Sequence, residues 1–171
     1  MVVRRIFRYI FAALIAIGAT PTIAASSSTT ELGFSYRYES LKSPTAVYAH
    51  HDIQGFYLKP FKAIWAGGEI VYGTHQNPSY GTKQLELGGL IKYWVMDPGQ
   101  GFSFNLFSGL AFGREDNGVK SYSTMTIKAG PEFAYFVLDG VSVSTRVQYT
   151  SRKAGEPFTG IGIHSGLSLH Y

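Results

Sequence analysis

Residues Thr159 to Tyr171 read TGIGIHSGLSLHY. Ile161, Ile163, Leu167, Leu169 and Tyr171 share one parity, with Ser165 among them, while Gly160, Gly162, His164, Gly166, Ser168 and His170 share the other. A period of two is the signature of a β-strand with one apolar and one polar face. The sequence ends on this strand, at an aromatic residue. One strand of this kind has meaning only if the rest of the chain supplies its partners.

Seven further segments alternate in the same way. Strand one is expected over about Glu31 to Glu39, with Leu32, Phe34, Tyr36 and Tyr38 against Gly33, Ser35 and Arg37. Strand two, about Tyr48 to Leu58, is the least regular. Strands three to seven are expected over about Ala63 to Tyr72, Lys83 to Val95, Gly101 to Gly113, Tyr122 to Val137, and Val141 to Ser151. No helical periodicity interrupts them. The fold class is therefore all-β, with eight strands.

The connections between these segments alternate in length. Lys59-Pro60-Phe61-Lys62, Met96-Asp97-Pro98-Gly99-Gln100 and Leu138-Asp139-Gly140 have the composition of tight turns. Ser40 to Val47, Gly73 to Thr82, Arg114 to Ser121, and Arg152 to Phe158 are longer and more polar. Short turns at one end and longer loops at the other are the pattern of an antiparallel up-and-down barrel in an outer membrane. Such a barrel has both termini on the periplasmic side.

The first 25 residues read as a cleaved signal peptide. Arg4, Arg5 and Arg8 precede the apolar stretch Tyr9 to Ile17, and small residues follow as far as Ala24-Ala25. The run falls short of the ~20 apolar residues that a spanning helix needs. Residues 26–30 form a polar lead, and 31–171 the barrel. The segment holds three of the fifteen basic residues and none of the eleven acids, so most of the net charge of +4 leaves with it. The basic balance that would have suggested nucleic acid as a partner leaves as well. With no cysteine in the chain, neither a disulfide framework nor a lipid-anchored cysteine is available.

The two faces decide the solvent. Full charges fall mid-strand on the polar parity at Arg37, Glu69, Glu86, Lys92, Lys128, Glu132 and Arg146. With Glu31 and Glu39 at strand ends, five acids meet four bases, a balance that a shared interior would explain. Tyrosines sit near the ends of the apolar faces, at Tyr36, Tyr38, Tyr57, Tyr72, Tyr93, Tyr135, Tyr149 and Tyr171. Amphipathic rings bordering an apolar band match the aromatic girdles of membrane barrels. The expectation is an inverted barrel, apolar outside and charged inside, closed because an open sheet edge cannot be satisfied in hydrocarbon. Trp65 shares the parity of Glu69 and is expected to point inward.

In architecture and terminal strand, Glu31 to Tyr171 resembles the small eight-stranded outer-membrane β-barrel superfamily, of the OmpA transmembrane-domain and OmpX type. The resemblance implies an integral outer-membrane protein among outer-membrane lipid and lipopolysaccharide, monomeric and without a cofactor. It also implies that the C-terminal strand, through Leu167, Leu169 and Tyr171, is read by the barrel-assembly machinery. No periplasmic cell-wall-binding domain follows Tyr171 in this sequence, so a tether role is not implied.

Some barrels of this class modify lipid A, and the deacylases among them carry a His-x-Ser pair on the penultimate strand. The matching stretch here is Gln148-Tyr149-Thr150, and Gln cannot serve as the general base that activates a hydroxyl. His164 and Ser165 are strand neighbours and point to opposite faces. His50, His51 and His75 are expected in solvated positions at the outer end, without ligand spacing for a metal. The expected function is non-enzymatic: an envelope role, or contact through the external loops, with Arg114 to Lys120 as the most charged of them. The alternatives are a lipid A-modifying acyl hydrolase and a soluble, lipocalin-like ligand-binding barrel. Barrels of this size are filled by side chains, so the interior charges are expected to form an ion-pair network rather than line a pore.

Overall fold

The computed structural model describes residues 29–45, 47–61, 64–76, 81–96 and 101–171. The expected signal peptide and most of the polar lead lie outside them. Eight strands follow in order: β1 (Glu31–Lys42), β2 (Val47–Phe61), β3 (Ile64–Gln76), β4 (Gly81–Met96), β5 (Phe102–Asp116), β6 (Ser121–Leu138), β7 (Val141–Ala154) and β8 (Glu156–His170). Each pairs antiparallel with its sequence neighbours, and β8 returns to β1 to close the ring. Beyond that seam, the Thr30 and Tyr171 backbones exchange bonds of 2.8 and 3.0 Å. Closure leaves no strand edge unpaired, which an apolar solvent demands.

Alternation is inward against outward along every strand, and β1 reads buried–exposed from Glu31 to Lys42 without a break. The side exposed to solvent is the apolar one. Leu32, Phe34, Ile70, Leu87, Leu106, Ile127 and Leu167 are 45–62 % exposed, while Arg37, Lys92, Glu132 and Arg146 are 1–3 % exposed. Of the tyrosines on the outer face, Tyr36, Tyr38, Tyr72 and Tyr149 border the band at the end away from the termini. Tyr57, Tyr93, Tyr135 and Tyr171 border it at the terminal end. The molecule is an eight-stranded antiparallel up-and-down transmembrane β-barrel.

Every strand runs further at the far end than its alternation predicted. β1 reaches Lys42, β3 Gln76, β5 Asp116 and β7 Ala154, while β2 starts at Val47 and β8 at Glu156. Segments read as long external loops are therefore paired hairpins that continue past the apolar band. Arg114, Glu115 and Asp116 are strand residues opposite Ser123, Tyr122 and Ser121, and the turn itself is only Asn117 to Lys120. Its shape is set by side chains acting on the backbone. Asp116 Oδ1 accepts from the Gly118 N–H at 2.7 Å, and Asn117 Oδ1 accepts from the Lys120 N–H at 2.7 Å. Those bonds, first that from Gly118 and then one from the Ser121 hydroxyl, hold the Asp116 carboxyl below its ordinary range. The β7–β8 connection is Gly155 alone, at φ 76°, where a side chain would be strained.

Candidate functional site

The inward face of the barrel gathers six buried carboxylates, Glu31, Glu39, Asp52, Glu69, Glu86 and Glu132, with five buried bases, Arg37, Lys92, Lys128, Arg146 and Arg152. All seven mid-strand charges singled out by parity are on this face. They fall into two clusters, stacked along the barrel axis.

The cluster nearer the termini is centred on Glu132. Lys92 Nζ lies 2.6 Å from Glu132 and 2.7–2.8 Å from both oxygens of Glu31. Arg146 donates to Glu132 through Nε at 2.8 Å and again through a second guanidinium nitrogen. Asn105 donates to the other Glu132 oxygen at 3.1 Å. Arg146 also donates to Gln54 at 3.2 Å, Gln54 donates to Glu69, and Lys128 pairs with Glu69 at 2.6 Å. The chain of contacts thus runs from β1 through β4, β6, β7, β2 and β3. Aromatic rings flank the cations: the Arg146 guanidinium sits 4.4 Å from the Phe107 ring centre and 5.4 Å from that of Phe56. Phe56 occupies its place because Gly33 faces it across β1, where a Cβ would lie 2.1 Å from the ring.

The far cluster is centred on Arg37. It donates to Asp52 through Nε at 2.6 Å and through a second nitrogen, and lies 3.2 Å from Glu39. His50 bonds the same Asp52 oxygen at 3.0 Å. Arg152 pairs with Glu115 and lies 3.8 Å from Glu86, which accepts from Thr126 at 2.8 Å.

Parity reasoning missed Asp52, Arg152 and Glu115. His50, expected in a solvated position, is 1 % exposed. The reason is that β2 points His50, Asp52 and Gln54 inward at its upper part and Phe56 and Leu58 lower down. Its inner face therefore changes character along its length. The usable signal was register: Asp52 lies directly opposite Arg37. His51, by contrast, faces outward against Tyr36 and Tyr38. His164 points inward, in register with Arg37 on one side and Arg146 on the other. Neither of its ring nitrogens has a hydrogen-bond partner among the described residues.

At the terminal end the inner face turns apolar. Trp65, 1 % exposed as its parity implied, stacks on Trp94 with ring centres 4.1 Å apart. Its indole N–H donates to the Thr29 carbonyl at 2.9 Å. Phe56, Leu58, Leu90 and Phe107 pack around the pair.

Chemically, the arrangement holds charge in place. Thr150, the only aliphatic hydroxyl in the stretch matched to the deacylases, accepts from Gln148 at 2.8 Å and Arg37 at 3.3 Å. Its register partner on β8 is Gly160. No three His, Asp or Glu residues converge on a possible metal position among the described residues.

No family model and no curated protein matches the chain. Solved structures do. The chain is similar to neisserial surface protein A, with a TM-score of 0.69 at 13 % identity, over 87 % of this chain and all of that one. It is also similar to Ail, the attachment invasion locus protein of Yersinia pestis, with a TM-score of 0.52 at 9 % identity, over 84 % and 99 %. At such identities the likeness is one of fold, and the fold is that of the small eight-stranded outer-membrane β-barrels.

Proposed function

We propose that this chain is a small integral protein of a Gram-negative outer membrane, exported by a cleaved signal peptide over residues 1–25. Both termini lie in the periplasm, and four hairpins stand outside. The observation that carries this reading is the inversion of the barrel: charges paired inside, and an apolar, tyrosine-bordered band outside. A soluble barrel that binds an apolar ligand requires the opposite arrangement. The function is non-enzymatic, an envelope or surface-contact role exercised by the extended hairpins. The interior is a packed, ion-paired plug holding Arg37, Glu69, Glu86, Lys92, Lys128, Glu132 and Arg146 in a network that stabilises the wall. The strand carrying Leu167, Leu169 and Tyr171 serves as the signal to the assembly machinery, and the barrel acts as a monomer.

Fractionation tests the whole reading. The protein should require detergent for release and should shift in mobility between unboiled and boiled gel samples; a protein soluble without detergent sinks the proposal. Orientation is tested separately, because the cysteine-free chain takes a single reporter cleanly. Val119→Cys, at the exposed tip of the β5–β6 turn, should react with an impermeant maleimide on intact cells, and Asp139→Cys should not. The opposite labelling would place the termini outside.

A further inference from the structure

The outer surface of the barrel is not uniform. Within the apolar band, β3 to β6 leave a groove of about 430 Å³ where Ala66, Gly89 and Ser108 stand between Ile91, Leu110 and Ile127. Above the same side, at the far end of the band, outward positions on β4, β5 and β7 are cationic, with the neutral Ser123 of β6 between them. Arg114 lies opposite Leu85, Lys83 opposite Asp116, and Lys153 opposite Met125, and all three side chains are exposed. Following the register from Lys83, the outward positions on β3, β2 and β1 are Thr74, His51 and Tyr38. At the β1–β8 seam Thr159 lies opposite Lys42, the one cation among the described outward residues there. The cationic arc and the groove therefore share one side of the molecule.

One acid shares that face. Asp116 has its oxygens engaged by the Gly118 N–H at 2.7 Å and the Ser121 hydroxyl at 3.1 Å, so it is tied to its own turn. From Arg114 down β5 to Leu110 is four residues, about 14 Å along the strand. That is within one leaflet of a ~30 Å hydrocarbon core. A headgroup at the arc and a chain in the groove are thus spaced as in one lipid.

We propose that the β3–β7 side is a binding site for one phosphorylated, acylated glycolipid, the lipid A portion of lipopolysaccharide, with its phosphates on Lys83, Arg114 and Lys153 and an acyl chain in the groove at Gly89. The charge complementarity selects this occupant over a zwitterionic lipid. The site deepens the outer-membrane reading and rests on the hairpin end facing outward. Each lysine or arginine near such a surface strengthens attraction to anionic lipid by about fivefold.

The test uses the full-length protein recovered from membranes, titrated in detergent micelles with bisphosphorylated lipid A, its dephosphorylated form and phosphatidylethanolamine, and read by native mass spectrometry. The wild type should prefer the bisphosphorylated lipid. Lys83→Gln/Arg114→Gln/Lys153→Gln should weaken that binding roughly 100-fold and bring it level with the dephosphorylated form. Lys59→Gln at the opposite rim should leave it unchanged. Gly89→Leu should weaken both forms of lipid A while keeping the phosphate preference. A Cβ there meets its nearest neighbour, the Gly67 carbonyl oxygen, at 3.8 Å, an ordinary contact distance, and the unboiled-gel shift of the variant checks that it is folded.

A wild type that binds the three lipids alike overturns the proposal, as does a triple variant that retains its preference. A lipid-free dimer lost in Gly89→Leu also overturns it, by giving the groove to a second copy. The unboiled-gel shift of the same preparations separates the two levels: if the shift is absent the outer-membrane reading fails, and if it is present without lipid preference only this site fails.

Discussion

Glu132 is the residue on which the lower network converges, taking Lys92, Arg146 and Asn105 on its two oxygens. Replacing it by Gln would leave two buried cations short of a counter-charge, and breaking a buried pair costs about 3–5 kcal/mol. Glu132→Gln should therefore lower the urea midpoint of the folded barrel in lipid vesicles by that equivalent. Arg37→Met, which strands Asp52, should do the same in the far cluster. A Glu132→Gln midpoint within 1 kcal/mol (about the worth of an exposed pair) would show that the network is dispensable to the wall. At this scale the sequence was legible where a charge sat mid-strand between clear apolar neighbours, as Lys128 does between Ile127 and Ala129. It was opaque at Asp52. Its own strand alternates poorly, and only the pairing with Arg37 identifies it as an interior residue.

A strand in this barrel has two regimes, and the difference explains where element boundaries were misread. Inside the band the outward face is apolar and the inward face polar, so alternation is strong. Beyond the band both faces are wet, contrast vanishes, and Arg114-Glu115-Asp116 reads like a loop although it is paired with β6. Glu115, the inward member of that trio, turns to Arg152 of β7. The outer face of one strand can test where the regimes meet. Leu106 lies near the middle of the band on β5 and is 47 % exposed. Leu106→Lys should cost about 2–4 kcal/mol in lipid, whereas Ser123→Lys, outward on β6 beyond Met125, should cost no more than about 1 kcal/mol. Equal costs in denaturant titrations of the two variants would mean that the band has been placed wrongly.

For the molecule as a whole, parity and turn composition were enough to set strand number, direction and closure. Each hairpin fixes the next, and a ring of eight leaves only the β1–β8 seam to be made. What they could not supply is how the interior is filled, since that depends on which side chains meet across the lumen. Arg146 crosses to Gln54 and Glu132 and lies over Phe107, and Trp65 with Trp94 occupies the terminal end. In planar bilayers the wild type should show no steady conductance. Open channels at neutral pH would contradict the proposed packed interior, and Trp65→Ala is the substitution most apt to create them.

The Trp65–Trp94 stack also gives the protein an optical signature. These are the chain's only two tryptophans, their planes 17° apart, and both belong to the lumen rather than to the lipid-facing girdle. Their emission should change when the barrel closes, yet respond weakly to brominated acyl chains that quench residues touching lipid. Two indoles at this separation should further split their electronic transition, giving a paired circular-dichroism band that either Trp→Phe substitution erases. Closure of the ring could then be followed as it happens, in an unlabelled protein, by light that never samples the membrane.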